Sequence, residues 1–257
     1  MACATHFFEA IRSILKAHRF DFTMNTIRLV LTVALLIPAA SNAKCAWTWA
    51  SNWTNDEPIS PGDWIVIEGG GEAAEQLKTI AERSPRLVSG DHEVRLQLES
   101  TNIGAMNRTA VVLAPQRALH SGKTYRLVLR QGARSLERLK WTVGGQLDRR
   151  ISVLGAPKVT DTRRQRFGCG PSVKIELAVE TSGTTLGFLV EATGADGKSQ
   201  RYLVRSRNGR ISVGHGMCSG GFVFTGGQRY TVRVLSALGR TGQTVTVPAR
   251  TLVATAP

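Results

Sequence analysis

The chain has 257 residues, enough for one large or two small domains, and a formal net charge of +14 at pH 7. The charge is uneven, because residues 149–257 carry 16 basic and 5 acidic side chains, whereas residues 44–148 carry 13 and 12. The scarcity of carboxylates argues against a paired-carboxylate hydrolase site in the second half. The positive charge favours an acidic partner and decides nothing about the fold.

The first predicted element is a secretory signal peptide at residues 24–43. A charged segment from Met24 precedes an apolar run, Leu29–Ala40, and the small residues of Ser41-Asn42-Ala43 follow it. A transmembrane helix needs about 20 apolar residues, so the run is too short for one. We therefore expect cleavage after Ala43, a secreted or periplasmic protein, and no transmembrane helix in the mature chain. Residues 1–23 are interpreted as a mis-assigned start, with translation beginning at Met24, or as a disordered extension.

The mature chain contains three cysteines, Cys45, Cys169 and Cys218. Export makes disulfide bonds permissible. Cys169 and Cys218 both lie in the second half, so we predict that they form a disulfide. Cys45 then remains unpaired, as a free thiol or as an intermolecular link.

Apolar and polar residues alternate with a period of two along most of the mature chain, which predicts β-strands with one buried face. One stretch differs: Glu72–Arg83 places Ala73, Leu77 and Ile80 at helical spacing and predicts a short helix. In the second half, Asp196-Gly197 and Asn208-Gly209 are two-residue hairpin signals. Together they predict a three-stranded meander.

The two halves share a sequence pattern. Leu119-x-x-Gly122-x-x-Tyr125 recurs 105 residues later as Phe224-x-x-Gly227-x-x-Tyr230, each followed by alternating apolar residues. The pattern resembles the stretch before the sixth strand of immunoglobulin-like and fibronectin-type-III-like domains, and the whole chain resembles exported bacterial proteins with two such modules.

The resemblance implies an all-β fold of two tandem antiparallel β-sandwich domains, at residues 46–148 and 151–257, with one short helix in the first. It also implies that the hydroxyls of Tyr125 and Tyr230 bond back to the preceding loop, the structural tyrosine corner of such domains. It implies no activity, because sandwiches host many.

The segment Gly214–Gly221 is open to two interpretations. His215, Met217 and Cys218 are soft ligands whose spacing is compatible with a metal ion, but a site needs three or four ligands and no second cluster is visible. The favoured interpretation is a glycine-rich loop fixed by a disulfide. We predict no catalytic residue, metal or cofactor, because no nucleophile, base or G-x-S-x-G elbow is recognisable.

Arginines supply the functional hypothesis. On a strand, each of several arginines alternates with an apolar residue and would face solvent. The candidate polyanion-binding residues are Arg201, Arg205, Arg207, Arg210, Arg229 and Arg233. The sequence thus predicts an exported, non-catalytic binding or structural protein whose second domain contacts an acidic polysaccharide, an anionic membrane surface or an acidic protein. A solvated face without a partner, and a secreted or metal-dependent enzyme with a site built from distant loops, remain alternatives. No nucleic-acid-binding motif is present.

Overall fold

The structure of the protein is a computed structural model that describes residues 48–54, 57–130, 132, 135–145, 150–167, 170–240, 242–248 and 250–256. The predicted signal peptide, the segment before it, Cys45 and Cys169 all lie outside these residues. Within the described ranges, every helix falls short of the length and apolarity that crossing a lipid bilayer requires.

The first half of the described chain is a sheet of antiparallel strands. The strands are β1 (Trp49–Asn52), β2 (Ile65–Gly70), β3 (Arg86–Ser89), β4 (His92–Ile103), β5 (Arg108–Pro115), β6 (Thr124–Val128) and β7 (Lys140–Thr142). Their order across the sheet is β1-β2-β5-β4-β3-β6-β7. The long strand β4 pairs with β3 over its first four residues and with β5 from Leu96 onward, so it joins two parts of the sheet.

The predicted short helix is confirmed. It consists of α1 (Glu72–Lys78) and a 3-10 helix (Ile80–Arg83). Ala73, Leu77 and Ile80 are buried, as their helical spacing requires. They pack in the core of the first half.

Strands β2 and β5 are buried on both faces. Ile65 and Ile67 belong to the hydrophobic cluster of the first half, whereas Val66 belongs to the cluster that contains the core of the second half. This double burial explains why β2 reads as a nearly continuous apolar run rather than as an alternation. The polar exception in that run, Glu68, is only 3% exposed.

The second half consists of sheets with fewer strands than the sheet of the first half. Its strands are β8 (Ser152–Val153), β9 (Lys158–Phe167), β10 (Gly170–Ala178), β11 (Thr181–Ser182), β12 (Thr185–Gly194), β13 (Ser199–Arg205), β14 (Arg210–His215), β15 (Arg229–Gly239), β16 (Thr244–Thr246) and β17 (Leu252–Thr255). One sheet has the order β14-β10-β9, a second has the order β13-β12-β15-β16 with β17 also on β15, and β8 pairs with β11. Apolar residues of both larger sheets share one hydrophobic cluster, which also includes Trp53 and Val66 from the first half.

The predicted three-stranded meander is wrong. Asp196-Gly197 does join the paired strands β12 and β13, and Asn208 and Gly209 do form a tight turn with φ of 53° and 72°. After that turn, however, β14 pairs with β10 in the other sheet. A turn signal fixes local backbone angles, but which strand the chain pairs with next is decided by where its apolar face is buried.

The repeated pattern adopts the same local structure twice. The hydroxyl of Tyr125 accepts a hydrogen bond from the backbone N–H of His120 at 3.0 Å, and that of Tyr230 accepts one from Thr225 at 2.7 Å. Gly122 and Gly227 have φ of 76° and 79°, a conformation that glycine adopts most readily.

The described structure is mostly β with one α-helix, which confirms the predicted fold class at that level. The division into two sandwiches of the immunoglobulin-like type remains a proposal.

Candidate functional site

A groove of about 600 Å³ lies where the two halves meet. The first half contributes Trp49, Ser51, Glu68 and Arg108 to its walls. Strands β10, β13 and β14, with the loops that follow β13 and β14, supply the remainder. The volume is within the range typical of sites for small ligands, about 300–1,000 Å³.

The floor of the groove is formed by the side chains of β10 that point away from the core. Val173 and Ile175 of β10 point into the core, so Lys174 and Glu176 face the opposite way and line the groove. On the neighbouring strand β14, Ser212 lies directly beside Glu176 in the register. The floor therefore carries one positive and one negative side chain from β10.

The charge lining the groove is mainly positive. Its basic residues are Arg108, Lys174, Arg205, Arg207 and Arg210, and its acidic residues are Glu68 and Glu176. This excess of cations favours an anionic ligand.

Glu68 lies at the inner end of the groove and is held by three donors. Its Oε1 accepts hydrogen bonds from the Tyr202 hydroxyl and from Arg108 Nε, both at 2.7 Å. Its Oε2 accepts a hydrogen bond from Trp53 Nε1 at 3.3 Å. We call these four residues the Glu68 network. Because Tyr202 belongs to the second half and the others to the first, the network joins the two halves.

Aromatic rings enclose the cation of this network. The Arg108 guanidinium lies 5.4 Å from the Trp49 ring centroid and 5.9 Å from that of Tyr202, within cation–π range. Burial lowers the pKa of Arg108, but the hydrogen bond and charge of Glu68 outweigh it, and the net shift is upward. Burial, and next the charge of Glu68, raise the pKa of Tyr202 well above its usual value. Tyr202 therefore remains a neutral donor at physiological pH.

Both carboxylate oxygens of Glu68 accept hydrogen bonds within the Glu68 network. Among the described residues no group of three or more His, Cys, Asp or Glu side chains is placed to hold a metal ion.

The structure divides the six candidate arginines into two sets. Arg205, Arg207 and Arg210 line the groove, and we call them the groove arginines. The other three, Arg201, Arg229 and Arg233, lie on the sheet that contains β13 and β15 and do not line the groove, and we call them the sheet arginines. Among the latter, Arg201 and Arg233 flank one carboxylate, Glu191, at 2.8 and 3.7 Å.

The groove arginines have different partners. Arg205 Nη2 donates a hydrogen bond to the carbonyl oxygen of Trp53 at 2.9 Å. Burial, and next the positive charge of Arg207, lower the pKa of Arg205. In the part of the chain that the structure describes, no carboxylate forms an ion pair with Arg205, Arg207 or Arg210.

The glycine-rich segment after β14 has a structural role. Backbone hydrogen bonds join Gly220 and Gly221 to Met106 and Ala105 of the first half, and a β-carbon on Gly221 would collide with the Tyr202 ring. Both ring nitrogens of His215 face carbonyl oxygens, those of Gly216 and Phe224, at 2.8 and 3.1 Å. Neither nitrogen is available to a metal ion in this arrangement.

Because Cys169 lies outside the described residues, its pairing with Cys218 remains a prediction.

Sequence reasoning missed groove residues from both halves. Glu68 and Arg108 of the first half and Lys174 of β10 were not among the candidate residues. The available signal was Glu68 itself, a carboxylate inside the apolar run of β2, because a buried carboxylate requires a cation or several donors nearby.

No family model and no curated protein matches the chain. Among solved structures, it is similar to pullulanase type I from Bacillus subtilis str. 168, with 11% identity, a TM-score of 0.25 and coverage of 78% of this chain and 26% of the pullulanase. Pullulanase from Anoxybacillus sp. LM18-11 gives 12% identity, a TM-score of 0.26 and coverage of 78% and 27%. The N-terminal part of the bacterial S-layer protein SbsC gives 15% identity and a TM-score of 0.23, with coverage of 80% of this chain and 44% of the SbsC chain. The chain thus spans about a quarter of the pullulanases it matches, and scores this low carry no argument about its function.

Proposed function

We propose that this is an exported, non-catalytic binding protein whose groove takes an acidic partner. The observation that carries the proposal is the lining of the groove, with five Lys or Arg side chains against two Glu. One of those two, Glu68, is already paired with Arg108. The cations that remain are Lys174 and the groove arginines, opposed by Glu176 alone.

Binding fits the groove better than catalysis does. Glycoside hydrolysis, for example, typically uses two carboxyl groups on either side of the scissile bond, one as acid and one as base or nucleophile. Here one of the two carboxylates is occupied by hydrogen bonds from Tyr202, Arg108 and Trp53. Glu176 by itself does not supply that pair.

Export and domain organisation belong to the same proposal. The signal pattern at residues 24–43 supports secretion. The repeated Tyr125 and Tyr230 loops support two related sandwich modules. In such an arrangement the groove would form between the modules, so that both contribute to one site.

Dextran sulfate and uncharged dextran test the proposal, because they share a backbone and differ in charge. We expect the mature chain, residues 44–257, to bind dextran sulfate and not dextran. Binding should weaken steeply between about 50 mM and 1 M salt, since the Debye length falls from over 10 Å to about 3 Å.

Matched variants then locate the binding surface. Lys174→Gln with Arg210→Gln removes two charges from the groove, whereas Arg229→Gln with Arg233→Gln removes two from the sheet arginines. We expect the first pair to weaken binding at least tenfold and the second to change it less than twofold. If dextran binds as well as dextran sulfate, or if only the second pair weakens binding, the groove is not the site.

A further inference from the structure

The turn after β13 brings two arginines face to face. Backbone hydrogen bonds run in both directions between Arg207 and Arg210, at 2.9 and 3.0 Å. Asn208 and Gly209 between them have φ of 53° and 72°, the conformation of a type I′ turn. Residues paired in this way project their side chains from the same face of the hairpin. The two arginine side chains therefore leave a tight backbone turn on the same face.

This arrangement is electrostatically unfavourable by itself. Like charges directly opposite each other in a hairpin are destabilising, and Arg205, two residues before Arg207, adds a third positive charge. The Arg207 charge lowers the pKa of Arg205, an effect second only to burial. A ligand of opposite charge would relieve the repulsion among the three.

Some of the other arginines of the second half have a carboxylate partner. Arg201 and Arg233 share the carboxylate of Glu191, and Arg163 is 2.5 Å from Asp161. Within the described residues, no carboxylate forms an ion pair with the groove arginines. The charges of Glu68 and Glu57 offset part of the repulsion at Arg205, and all three arginines lie on the wall of a groove with room for a ligand.

We propose that the groove arginines form a subsite for a tetrahedral oxyanion, the sulfate or phosphate ester group of the acidic partner. The inference rests on the proposed function of the groove and names the chemical group that one end of it recognises. Arginine suits this role because its planar fork donates two parallel hydrogen bonds to such an anion. Arg205 already donates one hydrogen bond to Trp53, which holds its guanidinium in place.

Small anions test the subsite without the rest of the partner. Inorganic sulfate and phosphate, titrated at constant ionic strength, should raise the melting temperature of the mature chain, and acetate should raise it much less. Arg207→Gln should abolish the sulfate and phosphate effect, and Arg207→Lys should not restore it, because lysine lacks the fork. Arg229→Gln is the matched control and should respond like the wild type.

The source of the group is decided in a second experiment. Arg207→Gln should weaken dextran sulfate binding at least tenfold if the group belongs to a polysaccharide. Vesicles containing phosphatidic acid test whether the group belongs to a lipid headgroup. If Arg207→Gln weakens binding to these vesicles but does not weaken binding to dextran sulfate, the subsite is assigned to a membrane lipid. The subsite is wrong if dextran sulfate binds but Arg207→Gln changes neither its affinity nor the response to small anions. That result leaves the proposed function standing, whereas failure of dextran sulfate and anionic vesicles to bind at all overturns both.

Discussion

Glu68 and Glu191 are both glutamates bound by arginine, in two different settings. The side chain of Glu68 is 4% exposed and that of its partner Arg108 is 30% exposed. The side chain of Glu191 is 17% exposed, but its partners Arg201 and Arg233 are 60% and 47% exposed. The pairing is chemically similar, but only the first site is shielded from water and shared between the two halves. We therefore expect the buried pair to contribute more to stability than the exposed one.

Replacing each glutamate by glutamine should give the largest difference between the two sites in the free energy of unfolding. Glu68→Gln leaves Arg108 without its counter-charge, and breaking a buried pair costs about 3 kcal/mol or more. Glu191→Gln removes an exposed pair, which costs less than about 1 kcal/mol. Urea unfolding of both variants measures the two values. Equal losses would show that the Glu68 network contributes no more than a surface ion pair.

Tyr202→Phe should have the next largest effect. It removes a hydrogen bond to a charged acceptor, worth about 1.5–3 kcal/mol. Because the folded-state pKa of Tyr202 is raised, its contribution should be complete below the unfolded pKa of about 10 and should decline as pH rises from there toward the folded pKa. The difference in unfolding free energy between wild type and variant, measured against pH, tests this. The difference between their phenolate absorbance curves should show a midpoint above about pH 10. A midpoint at or below that value would contradict the burial of this hydroxyl.

Salt should change the stability cost of the two glutamate substitutions to different extents, and this effect is smaller than the previous two. At 1 M salt the Debye length is about 3 Å, so exposed charges are screened while buried ones are screened much less. The cost of Glu191→Gln should then fall close to zero, and the cost of Glu68→Gln should persist. Unfolding at low and high salt provides the comparison. A parallel decline in both costs would mean that water and ions reach Glu68.

The smallest predicted effect concerns the floor of the groove. Glu176 opposes an anionic ligand, so Glu176→Gln should tighten dextran sulfate binding about threefold, as expected for one partly solvated charge. Glu180→Gln serves as the control, because Glu180 follows the end of β10 and does not line this groove. Unchanged or weaker binding by Glu176→Gln would indicate that the ligand does not approach the floor.

Particular elements show how far the sequence could predict the fold. The alternation in β10 predicted that Val173 and Ile175 are buried, and helical spacing predicted α1. Asn208-Gly209 predicted a tight turn, and the turn is present. The turn signal could not predict that β14 leaves the sheet of β13, because it fixes only local backbone angles and does not specify the strand with which β14 pairs.

The candidate site was less predictable than the fold. The sequence identified the six candidate arginines without separating them. Arg201, Arg205, Arg229 and Arg233 were chosen because they alternate with apolar residues, and Arg207 and Arg210 because they flank the Asn208-Gly209 turn. The sequence did not identify Lys174 or Arg108, whose importance depends on which strands meet at the groove.

By itself the sequence determined the local features of this protein: strand periodicity, the α1 helix, the turn at Asn208-Gly209 and the excess of positive charge. Each of these depends on residues close together in the chain. The tertiary structure decided that Glu68 meets Tyr202, 134 residues away, and that the arginines divide between a groove and an open sheet. Such contacts depend on which faces are buried together, and burial is a property of the packed molecule rather than of any segment.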